Sequence, residues 1–159
     1  MLGYIEKLLN RLAHQRPTRP VHALHEWTNP VFGRYIQPST PEDTSTRLPD
    51  TDIKIIQSII GALLYYTRAV DPSMHPALNE VSLTQSAPTE VTLKKCHQLL
   101  DYVSWHPNAT IFYHESDMVL NVDSDAAYLV LPRARSRLAG HFFLSSDPQL
   151  TRAVLPNTF

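Results

Sequence analysis

The placement of prolines restricts the fold of this chain more than any other feature. The sequence has thirteen prolines against four glycines, and six of the prolines fall between residues 15 and 50. Proline lacks an amide donor and disfavours helical backbone in the residue before it. No long helix can therefore cross residues 15–50, and we expect a rigid, extended connector there, anchored by Trp27, Phe32 and Tyr35.

Helical spacing of apolar residues predicts three or four helices around this connector. One runs from about residue 3 to 13, and a second begins at the capping oxygens of Asp50–Asp52 and continues to about Ala69. The second helix is apolar on most of its surface, so we expect it at the centre of the core. A short amphipathic helix follows at about 76–84.

A further helix is predicted to begin after Thr89, which is a good N-cap residue, and to stop before Pro107. Its buried stripe is expected to contain the following apolar side chains: Val91, Cys96, Leu99, Leu100 and Val103. The chain up to residue 107 therefore has the pattern of a helical domain.

The pattern changes to short β-rich segments after Pro107. Residues 109–114, 118–123 and 138–145 predict three strands of an antiparallel sheet. We therefore predict an α+β chain with a helical segment at 1–107, a partial sheet at 108–146 and an irregular tail at 147–159.

Composition excludes several classes of protein. The formal net charge of −1 argues against a generally basic nucleic-acid binder, so any such binding must rest on local patches. The single cysteine excludes an internal disulfide, and no apolar stretch is long enough for a membrane span. We expect a soluble intracellular chain with no membrane partner.

Positive charge is concentrated near the N-terminus. Residues 1–37 contain five basic and two acidic side chains. Six cations could line a nucleic-acid backbone; they are Lys7, Arg11, Arg16, Arg19, Lys94 and Lys95. The alternative is that these residues form ordinary solvated faces.

Asp123 and Asp125 are the strongest candidates for chemistry. Residues i and i+2 of a strand project to the same face, so the two carboxylates would lie together at a strand end. A divalent cation between them would offset their repulsion, as in a two-metal nuclease site. The alternative is a turn, where Asp is common. Asp147 is the sole acidic residue after Asp125, which leaves too few ligands to complete such a site.

Other motifs give weaker signals. His22-x-x-His25 has the spacing of a metal-ligand pair, but it lies among prolines without a cysteine or carboxylate at a matching distance, which favours a loop. Cys96 lies on a helical stripe and is predicted to be buried rather than nucleophilic. Four scattered glycines cannot build a phosphate-binding loop.

Several segments, in this order, resemble a copia-type retrotransposon reverse transcriptase and ribonuclease H polyprotein. The resemblance lies in Gly3–Leu8, Ile59–Pro72, Ala87–Glu90, Leu99–Val103, His114–Tyr128, Arg135–Gly140 and Phe142–Leu144. It implies that the helical part is similar to the thumb or connection region, and that the strands are the start of a ribonuclease H-like sheet.

The resemblance places the first ribonuclease H carboxylate, a Mg²⁺ ligand, on Asp125 and assigns no metal role to Asp123. The polymerase motif Tyr-x-Asp-Asp is absent from the sequence, and the later ribonuclease H carboxylates have no counterpart before Phe159. We therefore expect a catalytically incomplete fragment or relic. Mg²⁺ belongs to the parent family, and we expect no tight binding of it by this chain.

Three hypotheses follow. The first is a retroelement fragment, whose partners would be an RNA–DNA hybrid and the remainder of the polyprotein. The second is a non-catalytic nucleic-acid-binding module that uses the basic N-terminal helix. The third is a helical domain with an appended hairpin and no function of its own.

Overall fold

The computed structural model describes residues 2–26, 43–131, 135–146 and 157–158. They form a mixed α+β structure with two compact units. The helical unit spans Met1–Thr28 and Asp43–Thr110, and the hairpin unit contains the strands from Ile111 onward. The expected anchors Trp27, Phe32 and Tyr35 lie outside the described residues, as does most of the predicted tail.

Two helices flank the proline-rich connector, as the apolar spacing predicts. Helix α1 spans Tyr4–Arg11 and follows Gly3, whose φ of 75° is a left-handed conformation that glycine adopts without steric cost. Helix α2 spans Asp50–Ala69. Its N-cap is Pro49 rather than one of the three expected capping residues, Asp50–Asp52. Asp50 and Asp52 instead lie in the first turn, where their negative charge complements the helix dipole.

Two further helices and a short 3₁₀ turn, Pro72–Met74, complete the helical unit. Helix α3 spans His75–Ser82 and helix α4 spans Glu90–Trp105. Thr89 caps α4 as predicted, because its hydroxyl accepts the amide of Thr92 while the Thr92 hydroxyl accepts the amide of Thr89. Val91 departs from the predicted stripe, since it is 39% exposed.

A backbone junction ties the entrance of α2 to the entrance of α4. The amide of Leu48 donates to the carbonyl of Pro88 at 2.9 Å, and the amide of Glu90 donates to the carbonyl of Thr46 at 3.0 Å. Arg47 and Thr89 form an isolated antiparallel bridge between these bonds. The chain just before α2 is therefore attached directly to the N-terminus of α4.

One buried cluster forms the core of the helical unit. Helix α2 contributes the largest share, as its apolar surface predicts, and α1, α3 and α4 pack their apolar stripes around it. The cluster consists of Ile5, Leu8, Ile56, Ile59, Ile60, Leu63, Tyr66, Met74, Ala77, Leu78, Val81, Cys96, Leu99, Leu100 and Val103. The Tyr66 hydroxyl stays satisfied by donating to the carbonyl of Pro107 at 3.3 Å.

The sheet is dominated by one antiparallel hairpin. Strand β1 spans Val119–Leu131 and pairs with β2, Arg135–Ser145, while the two-residue strand β3, Asn157–Thr158, pairs with β2. The strand expected at 109–114 is wrong, because those residues adopt no regular structure. The amide of Ala109 donates to the hydroxyl of Tyr66 instead of to a strand. Strand propensity alone therefore does not make a strand.

The two faces of the hairpin differ in chemistry. The face that we call the apolar face carries four exposed hydrophobic side chains, Leu120, Val122, Leu138 and Phe142. Gly140 lies on it beneath the ring of Phe142, where an added Cβ would lie 3.0 Å from a ring carbon. The opposite face, which we call the carboxylate face, carries both aspartates of the sequence motif.

Among the residues that the structure describes, none of the helices combines the length and the apolar character needed to cross a bilayer.

Candidate functional site

The carboxylate face presents Asp123 and Asp125 from the middle of β1. Asp123 lies opposite His141 and Asp125 lies opposite Ala139, in unbroken antiparallel register. The expectation of a position at a strand end, or in a turn, is wrong, because β1 continues to Leu131. The two residues project to one face as the spacing predicts.

Both aspartates are exposed to solvent. The Asp123 side chain is 74% exposed, and the Nδ1 atom of His141 lies 3.9 Å from its carboxylate. Residues two apart on a strand have Cα atoms about 6.6 Å apart, and water screens charges at that distance strongly. The pair therefore needs no cation to tolerate its own repulsion.

The same face becomes buried towards the other end of the hairpin. Phe143 and Ser145 of β2 are buried there, and the side-chain amide of Asn121 donates to the Ser145 hydroxyl at 2.7 Å. Asn121 also donates to the carbonyl of Val119 at 3.0 Å. The aspartates thus extend a row of polar groups from a buried end into solvent.

The donor set does not fit a two-metal centre. The described residues contain no group of three or more His, Cys, Asp or Glu side chains placed to hold a metal ion. Mg²⁺ requires near-octahedral oxygen ligands, and a two-metal site shares several carboxylates between its ions. Asp123 and Asp125 provide at most one part of such a site.

The predicted basic residues fall into two environments. Lys7 and Arg11 are exposed and lie four residues apart on α1, so they share one face of that helix. Arg16 and Arg19 are also exposed and follow in the segment after α1. The guanidinium of Arg16 lies 5.0 Å from the ring centroid of Trp105, which is a cation–π distance.

Lys94 and Lys95 form ion pairs within the helical unit. The ammonium of Lys94 lies 2.6 Å from a Glu26 carboxylate oxygen, and that of Lys95 lies 2.5 Å from Glu80. These side chains border a groove of about 510 Å³ whose floor includes buried side chains of α3 and α4. Because the carboxylates partly neutralise these two lysines, we expect Lys94 and Lys95 to attract a phosphate backbone less strongly than the exposed pair on α1.

The two histidines of the spaced motif contact different residues. His25 lies 3.5 Å from the Glu80 carboxylate. His22 instead faces His106, with Nδ1 of His22 and Nε2 of His106 3.0 Å apart. His106 was not predicted, since it is 84 residues away from His22 and carries no motif. Contacts at that separation leave no signal in local spacing.

Another histidine contact joins the same segment to α4. The Nε2 atom of His14 lies 2.8 Å from an Asp101 carboxylate oxygen, and the His14 ring stacks on His97 with centroids 5.7 Å apart. With Arg16 and His22, these contacts hold residues 14–22 against α4 mainly through side chains.

Cys96 is buried, as its position on the helical stripe predicts. It is 1% exposed, and burial raises the pKa of its thiol to about 12. The nucleophilic form is the thiolate, which is scarce at neutral pH when the pKa is so high. Cys96 therefore has the environment of a core side chain.

No known protein family, curated protein or solved structure matches the chain.

Proposed function

We propose that the chain derives from a copia-type retrotransposon polyprotein and contains a thumb or connection region followed by the start of a ribonuclease H-like sheet. The parent protein would synthesise DNA on an RNA template and cleave the RNA of the hybrid. The observation that carries this proposal is the position of Asp125, which lies within a long strand that folds back into an antiparallel partner.

The exposure of Asp125 supports the proposed role. A first carboxylate for metal-assisted phosphodiester hydrolysis must reach solvent from a rigid element, where substrate and cation can approach it. Asp125 is exposed and lies in regular register opposite Ala139. Asp123, two residues earlier, would contribute negative charge beside it.

The apolar face provides a second line of support. Leu120, Val122, Leu138 and Phe142 are between 52% and 80% exposed. A sheet normally buries a hydrophobic face against another layer of structure. An uncovered face of this kind is typical of a sheet that belongs to a larger fold, such as a complete ribonuclease H domain.

We also propose that this chain alone does not cleave an RNA–DNA hybrid. Two carboxylates supply too few oxygen donors for two Mg²⁺ ions. The experiment is hybrid cleavage by the purified chain in Mg²⁺ or Mn²⁺, with Asp125→Asn as the matched control. We expect equal background rates from both proteins. Robust cleavage that Asp125→Asn abolishes would show that the chain is catalytically complete.

The proposed retroelement origin is tested by sequencing the reading frame on both sides of the coding segment. We expect a Tyr-x-Asp-Asp motif upstream and further carboxylates downstream. A longer recombinant chain that includes those carboxylates should cleave the hybrid, and Asp125→Asn should abolish that activity. A frame without either motif would contradict the proposed origin.

A second candidate function is electrostatic binding of duplex nucleic acid by α1. The observation that favours it is the exposed pair Lys7 and Arg11, which has no acidic partner within ion-pair distance among the described residues. Each phosphate contact contributes about 0.9 to the slope of log affinity against log salt. The double variant Lys7→Ala, Arg11→Ala should therefore lower that slope by about 2.

The ion-paired lysines supply the matched control. The double variant Lys94→Ala, Lys95→Ala removes the same charge, but these lysines already contact Glu26 and Glu80. We expect it to leave the salt slope almost unchanged. Equal losses from both double variants would show that binding follows total charge rather than the α1 surface, and binding that does not depend on salt would exclude this function.

A further inference from the structure

Two imidazole rings meet at the C-terminal end of α4. Nδ1 of His22 and Nε2 of His106 are 3.0 Å apart, with ring centroids 5.2 Å apart and planes at 62°. His22 is exposed and His106 is partly exposed. The two nitrogens are therefore close to each other and accessible from solvent.

The surrounding contacts hold both rings in place. The backbone amide of His106 donates to the carbonyl of Tyr102 at 3.0 Å, and the two rings of these residues have centroids 4.6 Å apart. The segment that carries His22 is anchored one residue later, where the Gln98 side-chain amide donates to the carbonyl of Ala23 at 3.1 Å. Side chains that are already held close together lose less conformational entropy when they bind one ligand.

We propose that His22 and His106 chelate a divalent transition-metal ion, with Cu²⁺ preferred. In the hydrogen bond one imidazole donates its N–H to the lone pair of the other. If the donor ring moves that proton to its remote nitrogen, both facing nitrogens offer lone pairs. Because the lone pairs point at each other in the hydrogen bond, each ring must also turn until both lone pairs point at one ion. Two nitrogen–metal bonds then form, two waters leave the hydrated ion, and no group is oxidised or reduced.

The separation of the two nitrogens indicates the coordination geometry. With metal–nitrogen bonds of about 2.0–2.1 Å, two nitrogens that keep the 3.0 Å separation as the rings turn would subtend an angle of about 90–97° at the metal. That angle is the cis angle of a square-planar or octahedral ion, whereas a tetrahedral ion would separate the nitrogens by about 3.3–3.4 Å. Tetragonal geometry with nitrogen ligands is characteristic of Cu²⁺, which also has the highest affinity in the divalent series.

The remaining coordination positions belong to water, since no third His, Cys, Asp or Glu joins this pair among the described residues. A bound ion would connect the segment after α1 to the end of α4 through two coordinate bonds. This inference does not depend on the proposed retroelement origin, because it concerns residues remote in sequence from Asp125.

The first test is titration of the tag-free chain with Cu²⁺ against a competing chelator. We expect one ion bound per chain at this pair, and at least about tenfold weaker binding in His22→Ala and in His106→Ala. His25→Ala is the matched control, because it removes an exposed imidazole from the same segment that faces Glu80. It should leave the affinity within about twofold of the original.

The second test counts the nitrogen ligands by electron paramagnetic resonance of bound Cu²⁺. We expect two imidazole nitrogens in the original chain and in His25→Ala, and one in each single variant of the pair. Unchanged spectra and affinity in His22→Ala and His106→Ala would overturn the proposal. Loss of binding in His97→Ala alone would also overturn it, since the site would then lie at the His14–His97 stack.

Discussion

The helical unit and the hairpin unit differ in how far they bury their apolar side chains. Fifteen apolar residues of the helical unit form one buried cluster. In the described part of the hairpin, Leu131 and Phe143 are the buried hydrophobic residues, whereas Leu120 and Leu138 are 63% and 80% exposed. The strands of the hairpin therefore pair regularly along their backbones without burying most of their apolar side chains. Among the described residues, extensive burial accompanies regular secondary structure in the helical unit.

The largest expected difference between the units concerns thiol reactivity. Burial raises the pKa of Cys96 from 9.0 to about 12, which lowers its thiolate fraction about a thousandfold at neutral pH. We expect Cys96 to resist a thiol reagent in the folded chain and to react at once in denaturant. A thiol moved to the hairpin by Cys96→Ala with Leu138→Cys should react rapidly in the folded chain.

The raised pKa of Cys96 also makes the stability of the folded chain depend on pH. Because the folded chain retains the Cys96 proton, the free energy of unfolding should fall as the pH rises from 9.0 towards about 12. Cys96→Ala should reduce this alkaline loss, as measured by denaturant unfolding at several pH values. Rapid labelling of native Cys96 would contradict the description of a closed helical core.

Truncation of an apolar side chain should lower the free energy of unfolding more in the helical unit than in the hairpin unit. Leu63 is 0% exposed at the centre of α2, so Leu63→Ala should lower the free energy of unfolding by about 2–5 kcal/mol. The control is Leu120→Ala on the apolar face, which should change it by less than about 0.5 kcal/mol. Urea unfolding followed by circular dichroism measures both values, and similar losses would refute the contrast.

The smallest expected stability effect comes from charging the apolar face. Leu138→Lys should change the free energy of unfolding by less than about 0.5 kcal/mol but should lower the fluorescence of a bound hydrophobic dye. Ile55→Lys is the matched control, because Ile55 is a 50% exposed residue of α2 outside that face. Dye binding that falls equally in both variants would mean that the apolar face has no special affinity for apolar ligands.

The helices could be predicted from the sequence because their signals are local. Thr89 caps the helix that follows it, and Pro49 and Pro107 flank the helical stretches that apolar spacing identifies. The strands were less predictable, because pairing depends on a distant partner. Residues 109–114 have strand-forming composition but adopt no regular structure, whereas β1 extends past Asp125 because β2 pairs with it.

The candidate sites show the same limit. The shared face of Asp123 and Asp125 follows from a two-residue period and was predictable. The neutralisation of Lys94 by Glu26 and the pairing of His22 with His106 are tertiary contacts. Neither contact produces a pattern in the spacing of residues along the chain. The sequence therefore could not show which lysines are ion-paired or that His106 lies beside His22.

The junction between residues 46–48 and 88–90 fixes the start of α2 independently of how many residues lie just ahead of Asp43. The carbonyl of Pro88 and the amide of Glu90 hold the entrance of α2 from a point 40 residues further along the chain. Extra residues inserted ahead of Asp43 would lengthen the connector while α2 keeps its starting point. A change of chain length at that point therefore leaves the entrance of α2 held by these two hydrogen bonds, while residues 14–26 keep their own contacts with α4.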